Sequence, residues 1–430
     1  MRYARVAWSA AMALQLALIG VGVFALTDIF RHDRLWEGDG PVHYTGFFLA
    51  RGEERGRLYQ PALQRQVQAR LLEASASGER RQYRDGYLPF NTPPHVAVLG
   101  SPLGALPLET FLWSWTLFQM ALLVWLLFQL LGLTRHWTWP ERVFLLAAVL
   151  GAVPVFRALQ YGQWSLLLSV ALLSAYRHLR RGQDLRAGAL WTLCTIKPQL
   201  ALLTGLGAAV ARPRFLAGAL AVAGIWLGVT LAWLGPGVFP SYLEMLGQGM
   251  SAEGEFGYWP RHMVNLRGLL AGVTGGGGWG GVIALSLLGF AAAALGTIQV
   301  ARRWGPAGGE RFALGFSVVA LLGMFFSPHL QVHDATLAVL PCLLLYDGLR
   351  RRPRAAFAFA ALMTAAPLAF LADAAWPDNP LRLAPLWLGG VLAWALWEWR
   401  RRRPTPEPPA ADVAPAAPGR QESPTPGAGA

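Results

Sequence analysis

The first residue that needs a chemical reason is a lysine inside an apolar run. Lys197, followed by Pro198, interrupts residues 187–211. A lysine near the middle of a membrane costs roughly 2.5 to 3.5 kcal/mol on insertion scales, so it must face a cavity, an acidic partner or a ligand anion. A second polar group, Arg157, Gln160, Tyr161, Gly162 and Gln163, lies between two short apolar runs. Three more clusters stand apart in the chain. They are the acids Asp28, Asp33, Glu37 and Asp39, the stretch with Glu244, Glu253, Glu255, Arg261, His262, Asn265 and Arg267, and the turn with His329, His333 and Asp334. Any one exposed Arg or Glu is ordinarily just solvated, and a lone interfacial His is ordinarily hydrogen-bonded. Brought to one face, these groups could hold an anionic lipid headgroup and activate a hydroxyl nucleophile.

The elements that must position them read as membrane helices. Of 430 residues, 54% are apolar and 14% charged, against about a quarter charged in a globular chain. That excludes a cytosolic enzyme or a transcription factor. The balance of 37 Lys and Arg against 24 Asp and Glu, +13, would suggest nucleic acid in a soluble protein. Here the basic residues cluster between apolar runs and mark cytoplasmic loops, so no nucleic-acid partner is expected. Cys194 and Cys342 lie within apolar runs, away from any Cys-x-x-Cys pattern, and are assigned to packing.

At 1.5 Å rise, a span of about 30 Å of hydrocarbon needs about 20 apolar residues. The runs 6–26, 108–133, 143–156, 164–176, 215–234, 279–300, 312–326, 335–349, 355–371 and 386–399 give ten expected spans, the first of them uncleaved, with both termini cytoplasmic. Residues 187–211 begin and end beside basic clusters, so they read as a helical hairpin with its tip at Lys197 and Pro198. The runs 143–156 and 164–176 are short, which places the turn carrying Arg157 to Gln163 below the outer surface. Irregular polar backbone is tolerated there only against protein or a wet cavity. On this topology all the polar clusters emerge on the outer face. The integral membrane domain is residues 1–403, with an outer loop at 27–94. There Leu63, Val67 and Leu71 recur every four residues among polar ones, the pattern of an amphipathic helix lying on the membrane. Residues 404–430, rich in Pro, Ala and Gly, read as a disordered cytoplasmic tail.

The stretch Gly162-Gln163-Trp164-Ser165-Leu166-Leu167-Leu168, then Arg181-Gly182, Ala187-Gly188 and Ile196-Lys197-Pro198, resembles glycosyltransferase family 87, the polyprenol-phosphate-mannose-dependent mannosyltransferases. The likeness extends to Gly38-Asp39 with Tyr44, Leu58-Tyr59, Pro93-Pro94 with Pro102-Leu103, Asn265 to Leu269, and Ser327-Pro328 with His333. Order and spacing agree over most of residues 1–350. Departures are Gly40 after Asp39 in place of a bulky aromatic, Leu266 after Asn265, and Asp334 where a second His is common.

The resemblance implies an all-α, polytopic GT-C type fold whose first outer loop supplies a catalytic Asp, by position Asp39. It implies an inverting membrane glycosyltransferase that moves a hexose, mannose in the family, from a polyprenyl-phosphate carrier to an acceptor hydroxyl. The reaction is placed at the outer face of the cytoplasmic (inner) membrane. Lys197, Arg157, His333, Gln163, Arg261 and Arg267 are the candidates for the donor phosphate and headgroup. Tyr44, Asn265 and His329 are the candidates for positioning sugar or acceptor. The partners are then the lipid bilayer, the polyprenyl-phosphate-linked sugar and a glycolipid or polysaccharide acceptor. With cations at hand and no Asp-x-Asp motif, neither metal nor cofactor is expected. A transporter or flippase of a lipid-linked or anionic substrate is the alternative, since it too needs intramembrane charge and a broken helix.

Overall fold

The computed structural model describes residues 2–31, 35, 38–73, 88–251, 260–275, 279–377 and 379–402. Asp33, Glu37, Glu253, Glu255 and the tail at 404–430 lie outside the described residues. Every regular element among the described residues is helical: α1 (Arg2–Arg31), α2 (Gly40–Arg51), α3 (Pro61–Glu73), α4 (Pro94–Gly100), α5 (Leu108–Leu133), α6 (Trp139–Leu150), α7 (Val153–Tyr161), α8 (Ser165–Arg180), α9 (Asp184–Trp191), α10 (Pro198–Ala211), α11 (Pro213–Leu234), α12 (Val238–Ser251), α13 (Leu266–Val273), α14 (Trp279–Ala301), α15 (Glu310–Phe325), α16 (Val339–Leu349), α17 (Pro353–Ala375) and α18 (Leu383–Arg401), with short 3-10 segments between some of them. The chain is a multi-pass membrane protein. Among the described residues, six segments are long and apolar enough to cross a membrane, seven if the bent α6–α7 pair is one span, against the ten expected from sequence. α8 and α15, both among the expected ten, have only 16 residues each.

Burial explains the arrangement. On α5, Phe111, Trp115, Gln119, Leu122, Leu126 and Gln129 recur at three- and four-residue intervals and are buried, while Leu117, Val124, Trp125 and Phe128 are exposed on the opposite side. One stripe faces protein and the other is suited to lipid. α15 is buried almost throughout, from Phe312 to Met324, and forms the centre of the bundle between α10, α14, α16 and α18.

Two expectations about local structure change. Arg157, Gln160 and Tyr161 are not in the connecting turn but on helix α7. The helical break comes earlier, at Gly151 and Ala152, where the pair bends by 45°. Pro154 near the start of α7 explains a fresh helix there, because its missing N–H is harmless in a first turn. α3 forms as the four-residue spacing predicts, but its stripe packs inward. Val67 is buried together with Gln64 and Gln68, whose side-chain amides bond the backbone of Phe90 and Leu88. The two glutamines hold the chain ahead of α4 as a strand neighbour would.

Segment 187–211 does turn at Lys197, between the 3-10 segment Thr192–Ile196 and α10. The end of α8 before it and Arg212 after it lie beside one loop: Arg212 donates to the Gly305 carbonyl at 3.0 Å, and a side chain built on Gly308 would touch the Arg180 carbonyl. Lys197 is thereby carried to the end of the bundle opposite Arg180 and Arg212.

Candidate active site

Asp39 sits at the N-cap position of α2, where Gly40 and Pro41 start the helix. Its own N–H donates to the Tyr161 carbonyl at 2.8 Å, which ties the first turn of α2 to the last of α7. This contact needs two glycines. Gly162 ends α7 in the left-handed region, φ 65°, where a side chain would be strained and would also press on Trp115. Gly38 passes so close to Tyr161 that a Cβ would stand 3.0 Å from its carbonyl oxygen. Trp115 closes the corner by donating its indole N–H to the Gly162 carbonyl at 2.7 Å.

Beyond the corner comes Gln163, buried, whose amide nitrogen donates to Asp39 Oδ2. Its amide oxygen accepts from Lys197 Nζ at 3.0 Å. Lys197 also donates to Asp334 Oδ1 at 2.6 Å and meets His333 Nε2 at 3.2 Å. An ammonium has three N–H groups and no acceptor, so His333 Nε2 must be the accepting ring nitrogen and the three donors of Lys197 are all engaged. Asp334 is fully enclosed. Besides Lys197 it accepts Ser165 Oγ at 2.8 Å and the Gln331 N–H at 3.2 Å.

The remaining residues predicted from sequence fall into two groups. Arg157 is beside the network: its Nη1 bonds Gln160 Oε1 at 2.6 Å and reaches Tyr161 Oη at 3.4 Å, and the Tyr161 ring stands 6.3 Å from that of His333. His329 is close enough to feel Asp334, Lys197 and Arg267, and burial pushes its ring down to about 4. The others support the scaffold. Asn265 caps α13 by accepting the Gly268 N–H and donates to the Ser327 carbonyl at 2.6 Å. Arg267 donates to the Pro328 carbonyl, Arg261 to the Gly275 carbonyl, and Tyr44 to the Leu106 carbonyl. Asn265 and Arg267 thus shape the loop that leads to His329 and His333.

Sequence reasoning missed His43. It lies one turn after Asp39 on α2, buried between the rings of Trp115 and Trp164 at 5.5 and 5.0 Å. Burial first, and then Lys197, push it down to about 3, so it is neutral at any working pH. The four-residue spacing from Asp39 was the available signal. Asp39 itself keeps some accessible surface. Desolvation pushes its carboxyl up to about 6, with Lys197 pulling it down and Asp334 pushing it up. A carboxylate poised near neutrality, open to one side and held by a single neutral amide, can accept a proton from a hydroxyl.

The model of glycosyltransferase family 87 matches residues 90–328, more than half of the chain. No curated protein and no solved structure matches.

Proposed function

The chain belongs to glycosyltransferase family 87 and is a membrane glycosyltransferase, and from that premise we propose that it transfers a hexose, mannose, from a polyprenyl-phosphate donor to an acceptor hydroxyl, with Asp39 as the base. The carrying observation is the placement of Asp39: partly accessible, raised toward neutrality, and fixed at the corner of α2 and α7. The acceptor oxygen attacks the anomeric carbon and its proton passes to the Asp39 carboxylate. The bond from that carbon to the phosphate oxygen breaks, and polyprenyl phosphate leaves with the electron pair, so the anomeric configuration inverts.

The leaving phosphate needs fixed donors. Arg157 is the candidate best placed, because only its Nη1 is engaged among the described residues, whereas Lys197 has no N–H to spare. The GT-C fold with ten spans, termini on the cytoplasmic side and the site at the outer face of the inner membrane, belongs to this reading. So do a glycolipid or polysaccharide acceptor and a reaction without metal or cofactor. Purified protein supplied with labelled polyprenyl-phosphate mannose and an acceptor extract tests it. Transfer by the wild type and near-zero transfer by Asp39→Asn support the assignment. Equal transfer by both removes Asp39 as base, and no transfer from any lipid-linked sugar turns attention to transport.

A further inference from the structure

Lys197 lies at the centre of the site with its side chain 15% exposed, yet each of its N–H groups already has a protein acceptor. A donor phosphate could reach it only by displacing one of them. The Asp334 contact is the shortest, its carboxylate is wholly enclosed, and Ser165 and the Gln331 N–H hold it in place. Gln163 joins this pair to Asp39, and its two ends are not interchangeable. The amide oxygen must face the ammonium, because Lys197 can only donate, so the NH2 group must face Asp39. Lys197 therefore dictates which way the glutamine points. The glutamine in turn presents a donor to one oxygen of Asp39 and leaves the other for a substrate.

We propose that Lys197, Asp334 and Gln163 are positioning residues: the Lys197–Asp334 pair, acting through the Gln163 amide, sets the orientation and proton affinity of Asp39 and is not part of the donor-binding surface. The proposal rests on Asp39 being the base, but its electrostatic core can be read without catalysis. Among the described residues, the groups around Asp39 that carry or could carry charge are His43 on its own helix, Arg157 and Tyr161 on α7, Lys197, and His329, His333, Asp334 and Arg267 around the turn after α15. α5 presents Leu112 and Trp115 there, neither charged. His43 and His329 are held neutral by burial, and His333 accepts from Lys197, so Lys197 and Asp334 are the opposed charges that act on Asp39.

That opposition gives a signature that mere damage to the fold would not give. Removing the cation should make Asp39 hold its proton to higher pH, and removing the anion should make it release the proton at lower pH. An apolar carbodiimide reacts with protonated buried carboxyls. Labelling of Asp39 against pH, mapped by mass spectrometry on the full chain in detergent, therefore reads its protonation directly. The expected order of half-labelling pH is Asp334→Asn lowest, then wild type, then the double variant Lys197→Met with Asp334→Asn, then Lys197→Met about one pH unit above wild type. Lys197→Arg should stay near wild type. If Asp334→Asn does not fold, the order of the other three decides, since the double variant buries no lone charge. Coincident midpoints, or Lys197→Met moving down, would overturn the proposal. The acid limb of kcat/KM should follow the same order. If the labelling order holds while Asp39→Asn transfers sugar like the wild type, the base assignment has failed and the electrostatic arrangement has not.

Discussion

The two ends of the bundle use the same residue types for different ends. α5, α8 and α16 each begin beside the Asp39 network and finish near Arg350. At the Arg350 end, carboxylates meet arginines directly. Glu141 accepts from Arg350 Nε at 3.0 Å and Nη2 at 2.7 Å, Glu310 accepts from Arg402 at 2.9 Å, and Glu398 is shared by Arg352 and Arg402. Asp347 takes His136 and the indole of Trp137. The pairs from Arg350 to Glu141, Arg402 to Glu310 and Arg352 to Glu398 join α6, α15, α16 and α18 as staples between helix ends. At the Asp39 end the pairing is displaced by one residue. The cation goes to Asp334, and Asp39 is left with a neutral amide. A carboxylate given an arginine would be too weak a base, whereas one given an amide keeps its affinity for a proton. The difference shows how a chain with an excess of basic residues can still hold a reactive carboxylate.

The sharpest way to break this contrast is Asp39→Asn. On the proposed mechanism it lowers transfer about 10²- to 10⁴-fold and leaves the thermal midpoint unchanged or raised, since a desolvated carboxylate is removed. Wild-type activity should fall about tenfold per pH unit below about 6, because the base is raised to that value and is lost by protonation as pH falls through it. A midpoint lowered together with activity would make Asp39 a structural residue like Glu141. Next in size is Asp334→Asn. Leaving Lys197, only 15% exposed, without its carboxylate should cost up to about 3 kcal/mol, read as a large drop in the thermal midpoint in detergent.

The residues of the network were legible as types: Asp39, Gln163, Lys197 and His333 stand out as polar groups in four separate segments of an apolar chain. Their order could not be read. Sequence says that Lys197 needs an acid or a ligand anion, but only the fold decides that the start of α8 brings Ser165, and the turn after α15 brings Asp334, to the same point. His43 was hidden because its neighbours on α2 form an ordinary buried helix. Asn265 and Tyr44 carry polar atoms that a sequence reading offers to a ligand, and the backbone takes them instead, through a helix cap and the Leu106 carbonyl. The helical class and the long spans were readable from apolar runs. The break at Gly151 was not, because hydropathy continues across it and only Pro154 marks the restart.

A smaller test concerns the corner that fixes Asp39. Gly162→Ala adds a Cβ at positive φ against Trp115, a strain of about 1 to 2 kcal/mol. Because the Asp39 N–H bonds the neighbouring Tyr161 carbonyl, kcat should fall by more than the loss of folded protein explains. Equal losses of activity and folded fraction would show that the corner only supports α7.

The smallest expected effect lies at the other end, and it sharpens the contrast most. Glu141 and Arg350 are about a quarter and a fifth exposed, so water and salt already screen their attraction. Glu141→Gln keeps an oxygen able to accept from Thr138 at the start of α6 but loses the charge and, with its NH2 group in place of Oε1, the bond from Arg350 Nε. The cost should be under about 1 kcal/mol. It should shrink further in about 1 M salt, where charges are screened beyond about 3 Å. The loss from Asp334→Asn should shrink much less, because Asp334 is fully enclosed and Lys197 only 15% exposed. Thermal midpoints of both variants at low and high salt decide the matter. If Glu141→Gln proves as costly as Asp334→Asn, or if salt relieves both alike, the two ends are stapled in the same way, and the diversion of Lys197 to Asp334 no longer accounts for the basicity of Asp39.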